Sequence, residues 1–136
     1  MLNRRGAAQA LSNLPSHIGP AYRGIRIKLP PTAYVPGTTI TWQPLSSASK
    51  SQTVPLQFVV TDGSRLSGTY FVIESNGAKE IQELSTYPDE EEVVFRLNAV
   101  FTVTAKLTVA ADKAAALPGL GSYDLTDLDV YRLTQF

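Results

Sequence analysis

Residues 90–92 are three consecutive glutamates that separate a Pro-Asp turn signal from the apolar run at 93–95. The β-branched and aromatic run predicts a strand that begins at or just before Glu90. Because side chains alternate along a strand, Glu90 and Glu92 are expected on one face, with Glu91 on the other. At about 3.3 Å of rise per residue their carboxylates would lie roughly 7 Å apart. This spacing can serve two reactants held side by side; the alternative is a solvated acidic turn that keeps a strand end soluble.

Two further polar motifs accompany predicted strands earlier in the chain. The alternating residues 21–29 predict a strand whose apolar, inward face carries Arg23 at its head. A guanidinium on that face indicates either an anion-binding role or an ion pair with a carboxylate at the core edge. Residues 46–49, Ser-Ser-Ala-Ser, follow a predicted strand at 38–45. Ser47 there is either a functional hydroxyl or a simple turn hydroxyl.

Strands dominate the elements that must position these motifs. They are predicted at 21–29, 38–45, 56–61, 69–74, 79–84, 91–96, 100–109 and near 128–133. A short helix is predicted over residues 2–13, stopped by Pro15. We therefore expect a single, mainly β domain over residues 1–136, in which two packed, mostly antiparallel sheets follow a short N-terminal helix and lead-in at 1–22.

The composition excludes several classes of site and partner. The chain has no cysteine and one histidine, which excludes disulfides, cysteine nucleophiles, iron–sulfur clusters and the usual zinc sites. Lys plus Arg and Asp plus Glu both total 12, and this balance argues against nucleic acid or an anionic membrane as a partner. No apolar run is long enough to span a bilayer, and the N-terminus has no signal-peptide pattern. We expect a soluble protein, either cytoplasmic or secreted and delivered as an effector.

The three motifs resemble those of a known enzyme family in their order and spacing. Tyr22-Arg23-Gly24, residues 46–49 and residues 90–94 are similar to the R-S-E class of mono-ADP-ribosyltransferases, which includes arginine-modifying vertebrate ecto-enzymes and clostridial toxins. The resemblance covers roughly residues 11–109, with further matching stretches at Leu14-Pro15, Tyr34-Val35-Pro36-Gly37, Ile40-Thr41-Trp42, residues 77–95 and Phe101-Thr102-Val103. Ala48 replaces the central threonine of the family's Ser-Thr-Ser motif. By alternation it faces away from its serine neighbours, so we expect a small effect on packing.

The resemblance implies an NAD-binding core, of the α+β family, that transfers ADP-ribose from NAD to a protein side chain, arginine above all, and releases nicotinamide. NAD would be the substrate, and no metal would be needed. Glu92 would be the catalytic glutamate that stabilises the oxocarbenium ion as the glycosidic bond breaks. Glu90 would orient or deprotonate the acceptor, because a carboxylate suits guanidinium. Ser47 would hold Glu92 in its rotamer, and Ser49 would brace the motif from the same strand face.

The same resemblance implies residues that bind NAD and the target protein. Arg23 would bind the phosphate or nicotinamide-ribose side of NAD, with Arg65 as a second phosphate contact. Gly24 would let the backbone approach the nicotinamide carboxamide, because no Cβ stands in the way. Tyr87 would contact the protein acceptor, together with Glu90.

Two other functions stay open from the sequence. Water could replace the protein acceptor, which gives an NAD glycohydrolase, or the fold could be a non-catalytic NAD-binding or interaction module. The intact Arg, Ser and Glu motifs argue against the module, and Glu90 favours transfer over hydrolysis. Only 22 residues precede Arg23, whereas the family has several helices there. We therefore expect an additional helical segment or a partner to complete the NAD cleft, and weak NAD binding without it, about −4 to −6 kcal/mol.

Overall fold

A computed structural model describes residues 14–81 and 88–136 of the chain. The strands are β1 (Ser16–Ile25), β2 (Thr39–Trp42), β3 (Ser46–Ser49), β4 (Val60–Asp62), β5 (Arg65–Glu80), β6 (Glu92–Phe95), β7 (Ala99–Leu107) and β8 (Leu128–Gln135). One α-helix, α1, spans Ala110–Ala116, and 3₁₀ turns span Val54–Phe58, Pro88–Glu90 and Pro118–Leu120. The predicted mainly β fold is confirmed. The helix predicted over residues 2–13 lies outside the described residues.

The long strand β5 organises the sheet. It pairs antiparallel with β1 along one edge and parallel with β8 along the other. Its last two residues also pair with β6, which continues to β3 and back to β1. Hydrogen bonds thus join the strands in the order β1-β3-β6-β5-β8-β7-β2, with β4 beside β5. The pairings are mostly antiparallel, as predicted, but the division into two sheets is not confirmed, because the strands form one continuous network.

The bounds of two predicted strands are wrong, for local reasons. The break predicted between the strands at 69–74 and 79–84 lies inside β5, because Gly77 is the extra residue of a β-bulge opposite β1 and has a φ of 110°. Glycine adopts this backbone conformation without a steric penalty, so the strand continues through it. The strand predicted at 21–29 is β1, which begins and ends earlier. Ile27, expected on the inward face, is therefore 62% exposed.

One other prediction failed where local chemistry was read incorrectly. The strand predicted at 56–61 is divided into the 3₁₀ turn Val54–Phe58 and the short strand β4. Pro55 lies at the start of that turn, where its fixed φ and missing N–H suit a helical turn. The polar stretch β3 is itself a strand, although serine and alanine have low strand propensity. Pairing with β6 along its whole length explains why it is extended.

The core has two parts, and one of them determines which way the side chains of β6 face. An aromatic-rich cluster contains Phe71, Phe95, Phe101 and Tyr131, with Tyr34 and Trp42 packed against it. A second cluster of Tyr22, Tyr70 and mainly leucine side chains lies on the side of the segment between α1 and β8. Val93 and Phe95 are fully buried in the aromatic-rich cluster. Alternation along β6 therefore turns Glu92 away from this cluster.

Candidate functional site

A cleft of about 490 Å³ opens where β1 and β3 separate. The two strands pair only at Tyr22 and Ser49, and beyond that point β1 follows β5 while β3 follows β6. The 3₁₀ turn Val54–Phe58 forms another wall, which we call the 54–58 wall. Six of the eight site residues predicted from the sequence line this cleft: Arg23, Gly24, Ser47, Ser49, Glu90 and Glu92.

The two candidate carboxylates reach the cleft by a different geometry from the one predicted. Glu90 ends the 3₁₀ turn Pro88–Glu90, and Glu92 begins β6, so they do not share one continuous strand face. Between them Glu91 has a φ of 50°, in the left-handed region that costs a non-glycine residue about 1–2 kcal/mol. The chain turns at Glu91, and both neighbouring side chains line the cleft. We refer to residues 90–92 as the acidic segment.

The serine motif lies directly beside the acidic segment. Ser49 is the residue opposite Glu92 in the β3–β6 pair, and Ser47 is opposite Val94. The Ser49 hydroxyl donates a hydrogen bond to the backbone oxygen of Glu90 and accepts one from the Ser51 amide at 2.9 Å. Ser47 is exposed on the cleft, diagonal to Glu92 across the strand pair. The hydroxyl that braces the backbone of the acidic segment is thus that of Ser49.

Ala48 alternates with its two serine neighbours as predicted. Its side chain is buried in the aromatic-rich cluster, next to the register partner Val93. A threonine at this position would have to place its hydroxyl among apolar side chains, which costs free energy unless the hydroxyl finds a partner. The small residue is therefore compatible with the core behind the serine motif.

Arg23 is a half-buried cation stacked on an aromatic ring. Its guanidinium carbon lies 4.8 Å from the centroid of Trp42, whose indole N–H donates to the Tyr34 hydroxyl at 2.9 Å. Burial lowers the pKa of Arg23, although a guanidinium stays charged at neutral pH. Within residues 14–81 and 88–136 it forms no ion pair, so the predicted alternative of a carboxylate partner is not found there. A positive charge of this kind, exposed to a cleft, suits an anionic ligand.

Replacing Trp42 with phenylalanine is expected to weaken binding of an anionic ligand several-fold, because the smaller ring is a poorer cation–π partner and lacks the N–H. NAD affinity should fall and the Michaelis constant for NAD should rise, with little change in kcat. The control is Phe101→Leu, which changes the buried ring whose centroid lies 4.5 Å from that of Trp42 and leaves the ring on which Arg23 stacks in place. Equal loss of affinity in the control would show that the effect comes from core packing.

Gly24 lies where β1 meets the 54–58 wall. A Cβ added there would lie 2.6 Å from the carbonyl oxygen of Pro55 and 3.1 Å from a methyl of Val59. Glycine is therefore required for the close approach of the wall to the strand. This contact, rather than access to a ligand alone, accounts for the missing side chain.

Gly24→Ala is expected to displace the 54–58 wall and raise the Michaelis constant for NAD about tenfold. Overpacking of this kind costs about 1–3 kcal/mol, and the turn can move more easily than the paired strand β1. Steady-state kinetics and a thermal melt measure the two effects. Gly121→Ala is the control, because Gly121 has a φ of −62° and its added Cβ would meet only a carbonyl oxygen at 3.4 Å. An unchanged Michaelis constant in Gly24→Ala would contradict the assignment of this wall to the binding cleft.

Arg65 does not reach the cleft. Its guanidinium lies 3.4 Å from a carboxylate oxygen of Asp127, at the start of β5. The exposed Arg26 lines the cleft instead. Sequence alternation did not predict a site role for Arg26, because in the strand predicted at 21–29 it lies on the face opposite to Arg23. In the structure β1 ends at Ile25, so this alternation does not extend to Arg26. Tyr87 lies outside the described residues.

Phe58 is a second residue of the cleft that sequence reasoning missed. It is 51% exposed, at the end of the 54–58 wall. An exposed aromatic ring beside a cleft can stack on a planar ligand group. The prediction of a strand at 56–61 gave no reason to place Phe58 at a cleft, whereas Pro55 was the signal for a turn.

Gln52 connects this wall to the rest of the fold. Its amide nitrogen donates to the Tyr22 hydroxyl at 3.1 Å, its amide oxygen accepts from the Gly119 amide at 2.6 Å, and its backbone oxygen accepts from the Tyr70 hydroxyl at 2.6 Å. These contacts tie the chain entering the wall to β1, to β5 and to the 3₁₀ turn Pro118–Leu120.

The described part of the chain contains neither a potential metal centre nor a helix that could span a membrane. No three histidine, aspartate or glutamate side chains there converge as potential metal ligands. None of the helices in residues 14–81 and 88–136 combines the length and apolar character needed to cross a membrane.

Known proteins share both the sequence pattern and the fold. Mav of Mycobacterium avium, named as an NAD(+)–arginine ADP-ribosyltransferase, is 32% identical over 100 residues, which are 72% of this chain and 11% of Mav. Vis toxin, an ADP-ribosyltransferase from Vibrio splendidus, superimposes with a TM-score of 0.70 at 26% identity, over 97% of this chain and 54% of Vis. The Salmonella SpvB domain shares the fold, with a TM-score of 0.71 at 19% identity over 97% of this chain and 69% of that domain.

The chain therefore spans about half the length of Vis and a small part of Mav. The sequence pattern of the NAD:arginine ADP-ribosyltransferase family matches residues 5–119. This range includes the arginine, serine and glutamate motifs that the fold brings to one cleft. The resemblance predicted from these motifs is confirmed: the chain belongs to the NAD:arginine ADP-ribosyltransferase family.

Proposed function

We propose that this chain transfers ADP-ribose from NAD to a guanidinium group of a protein acceptor and releases nicotinamide. The observation that carries the proposal is that Glu90 and Glu92 line the same cleft as Arg23, the cation stacked on Trp42. The cleft thus offers a positive charge for a diphosphate and two carboxylates for a developing cation and its nucleophile. Family membership supports NAD as the substrate.

In the proposed reaction the bond between the ribose C1′ and the nicotinamide nitrogen breaks, and its electron pair leaves with nicotinamide. Glu92 stabilises the positive charge that develops on the ribose, since a fixed anion in a partly desolvated cleft is most effective there. A guanidine nitrogen of the acceptor then forms the new bond to C1′, and its proton passes to Glu90. Atoms and charge balance without a metal or a redox partner.

The other residues of the cleft are proposed to hold NAD. Arg23 binds the diphosphate through its planar fork, with the exposed Arg26 as the second cation in place of Arg65. Ser47 contacts the ribose or the Glu92 carboxylate, and Ser49 holds the backbone of the acidic segment. Gly24 and Phe58 frame the nicotinamide ring from the strand and from the 54–58 wall.

Hydrolysis of NAD is the second candidate function. The cleft is open to solvent at Ser47 and Phe58, so water can reach it without an acceptor. Glu90 favours transfer, because a second carboxylate is suited to a guanidinium and is not needed for attack by water at a cation. A non-catalytic role would not explain why two carboxylates line the cleft.

Incubating the chain with NAD labelled in the ADP-ribose moiety, with and without agmatine, tests these functions. Agmatine is a suitable probe, because it carries a guanidinium and because Vis has been crystallised in complex with it. Label on agmatine together with free nicotinamide supports transfer, nicotinamide without labelled agmatine supports hydrolysis, and neither product contradicts an enzymatic role. The same assay with a helical segment or a partner protein added tests whether either completes the cleft.

A protein target and the route to it are also proposed from the relatives. Vis is described as a toxin, and XopAI of Xanthomonas as a type III effector. We propose that this chain likewise modifies a protein of another cell after delivery. Mass spectrometry of modified arginines in lysates treated with the chain and NAD would identify targets, and an absence of modified protein would contradict the proposal.

A further inference from the structure

The backbone of the acidic segment is held from two sides. On one side, Ser49 Oγ donates a hydrogen bond to the carbonyl oxygen of Glu90, and the Lys50 amide donates to that of Glu91. On the other side, the Ile81 amide donates to the carbonyl oxygen of Glu92. The two amide contacts measure 3.1 Å for Lys50 and 3.2 Å for Ile81. Each carbonyl of the segment thus has a donor outside it. The positions of the two carboxylates in the cleft therefore depend on the distance between the end of β3 and the end of β5.

One ion pair connects these two strand ends directly. Lys50 Nζ lies 2.9 Å from Glu80 Oε1, with side chains that are 25% and 29% exposed. Lys50 follows β3 and itself donates one of the backbone contacts, while Glu80 ends β5 and precedes the donor Ile81. A solvent-exposed ion pair contributes little to stability. This pair is half-buried and joins the donor Lys50 to the residue that precedes the donor Ile81, so we expect its loss to change the geometry of the segment more than the stability of the fold.

We propose that Lys50 and Glu80 are positioning residues that fix the acidic segment through the spacing of its two flanks. This inference rests on the proposed function, because cleavage of NAD defines the productive position of the carboxylates. Neither residue is among those that line the cleft. The pair acts through Glu90 and Glu92 and has no contact with the substrate.

The surroundings of the pair support this assignment. Glu80 also lies near His17, whose Nδ1 is 3.8 Å from Glu80 Oε1, farther than Lys50 Nζ at 2.9 Å. The Glu80 amide also donates to the carbonyl of Pro15 at 2.9 Å, which fixes the end of β5 independently of its side chain. Loss of the ion pair should therefore loosen the Lys50 side of the segment while the β1–β5 pairing stays intact.

Kinetics of four variants of the full chain test the proposal. Lys50→Met, Glu80→Gln and the double variant should each lower kcat for nicotinamide release about tenfold, because a small misplacement of catalytic groups has a large effect on rate. The double variant should lose no more than either single variant, as expected for two residues that act as one unit. The Michaelis constant for NAD should change less than twofold, and Lys50→Arg should restore most of kcat.

Lys79→Met is the matched control. Lys79 adjoins Glu80 in β5 but donates to Ser16 Oγ at 2.8 Å and to the carbonyl of Leu14 at 3.4 Å, away from the acidic segment. Its kcat should equal that of the unmodified chain. Additive losses in the double variant, an unchanged kcat in Lys50→Met, or an equal loss in Lys79→Met would each overturn the proposal.

Hydrogen exchange separates this inference from the proposed function. The amides of residues 50 and 81 should exchange about tenfold faster in Lys50→Met and in Glu80→Gln than in Lys79→Met. Unchanged exchange would overturn the positioning role even in an active enzyme. An unmodified chain that releases no nicotinamide would refute the proposed function, while faster exchange at these two amides would still support the structural part of the inference.

Discussion

Replacing Glu92 with glutamine is expected to reduce both nicotinamide release and transfer to agmatine by about 10² to 10³. A neutral amide has nearly the same shape as the carboxylate but cannot stabilise the positive charge that develops on the ribose. The fold should be preserved, because Glu92 faces the cleft while its neighbour Val93 is buried in the core. Initial rates at saturating NAD and a thermal melt measure the two effects.

Glu91→Gln provides the control within the same segment. It removes the same charge at a residue that does not line the cleft, so both activities should stay close to those of the unmodified chain. Near-normal nicotinamide release in Glu92→Gln would contradict the catalytic assignment. A similar loss in Glu91→Gln would show that the total charge of the segment, and not one carboxylate, determines the rate.

Glu90→Gln is expected to separate the two reactions. Transfer to agmatine should fall about 10²-fold, the usual order for loss of a general base, while nicotinamide release should stay within about threefold. The carboxylate is needed to hold the guanidinium and to accept its proton. The Glu90 carbonyl, which accepts the Ser49 hydrogen bond, is unchanged by the substitution, so the geometry of the segment should survive.

The ratio of labelled agmatine to free nicotinamide is the decisive measurement. The unmodified chain should give a higher ratio than Glu90→Gln at every agmatine concentration. If both products fall together, Glu90 takes part in cleavage of NAD itself. Ser49→Ala, which removes the brace on the acidic segment, should instead lower both products together.

Sequence periodicity located most of the strands but not their connections. The strands predicted at 100–109 and near 128–133 correspond closely to Ala99–Leu107 and Leu128–Gln135, because apolar and polar residues alternate there. The parallel pairing of β5 with β8 could not be predicted, since it joins strands far apart in the sequence. Periodicity did not include residues 46–49 among the strands, because the extended form of β3 depends on its partner β6. Only the motif resemblance placed Ser47 and Ser49 on one strand face.

The residue types of the site were more predictable than its geometry. The arginine, serine and glutamate motifs had a recognisable order, and the structure brings them to one cleft. The left-handed turn at Glu91 was not visible, because glutamate carries no propensity for it and hydrogen bonds from Lys50 and Ile81 hold the segment on both sides. The positions of Arg26 and Phe58 at the cleft depend on where β1 ends and on how the 54–58 wall packs. Both are tertiary features.

The stacking of Arg23 on Trp42 gives the cleft an optical reporter. Trp42 is the only tryptophan of the chain. Its indole lies 4.8 Å from a cation, and the emission of an indole responds to the electric field of nearby charges. In the proposed complex a diphosphate binds that cation and changes the field, so the intrinsic fluorescence of the unlabelled chain should report occupancy of the cleft beside Arg23. Binding can thus be followed in every variant that retains Trp42, including those that no longer turn over.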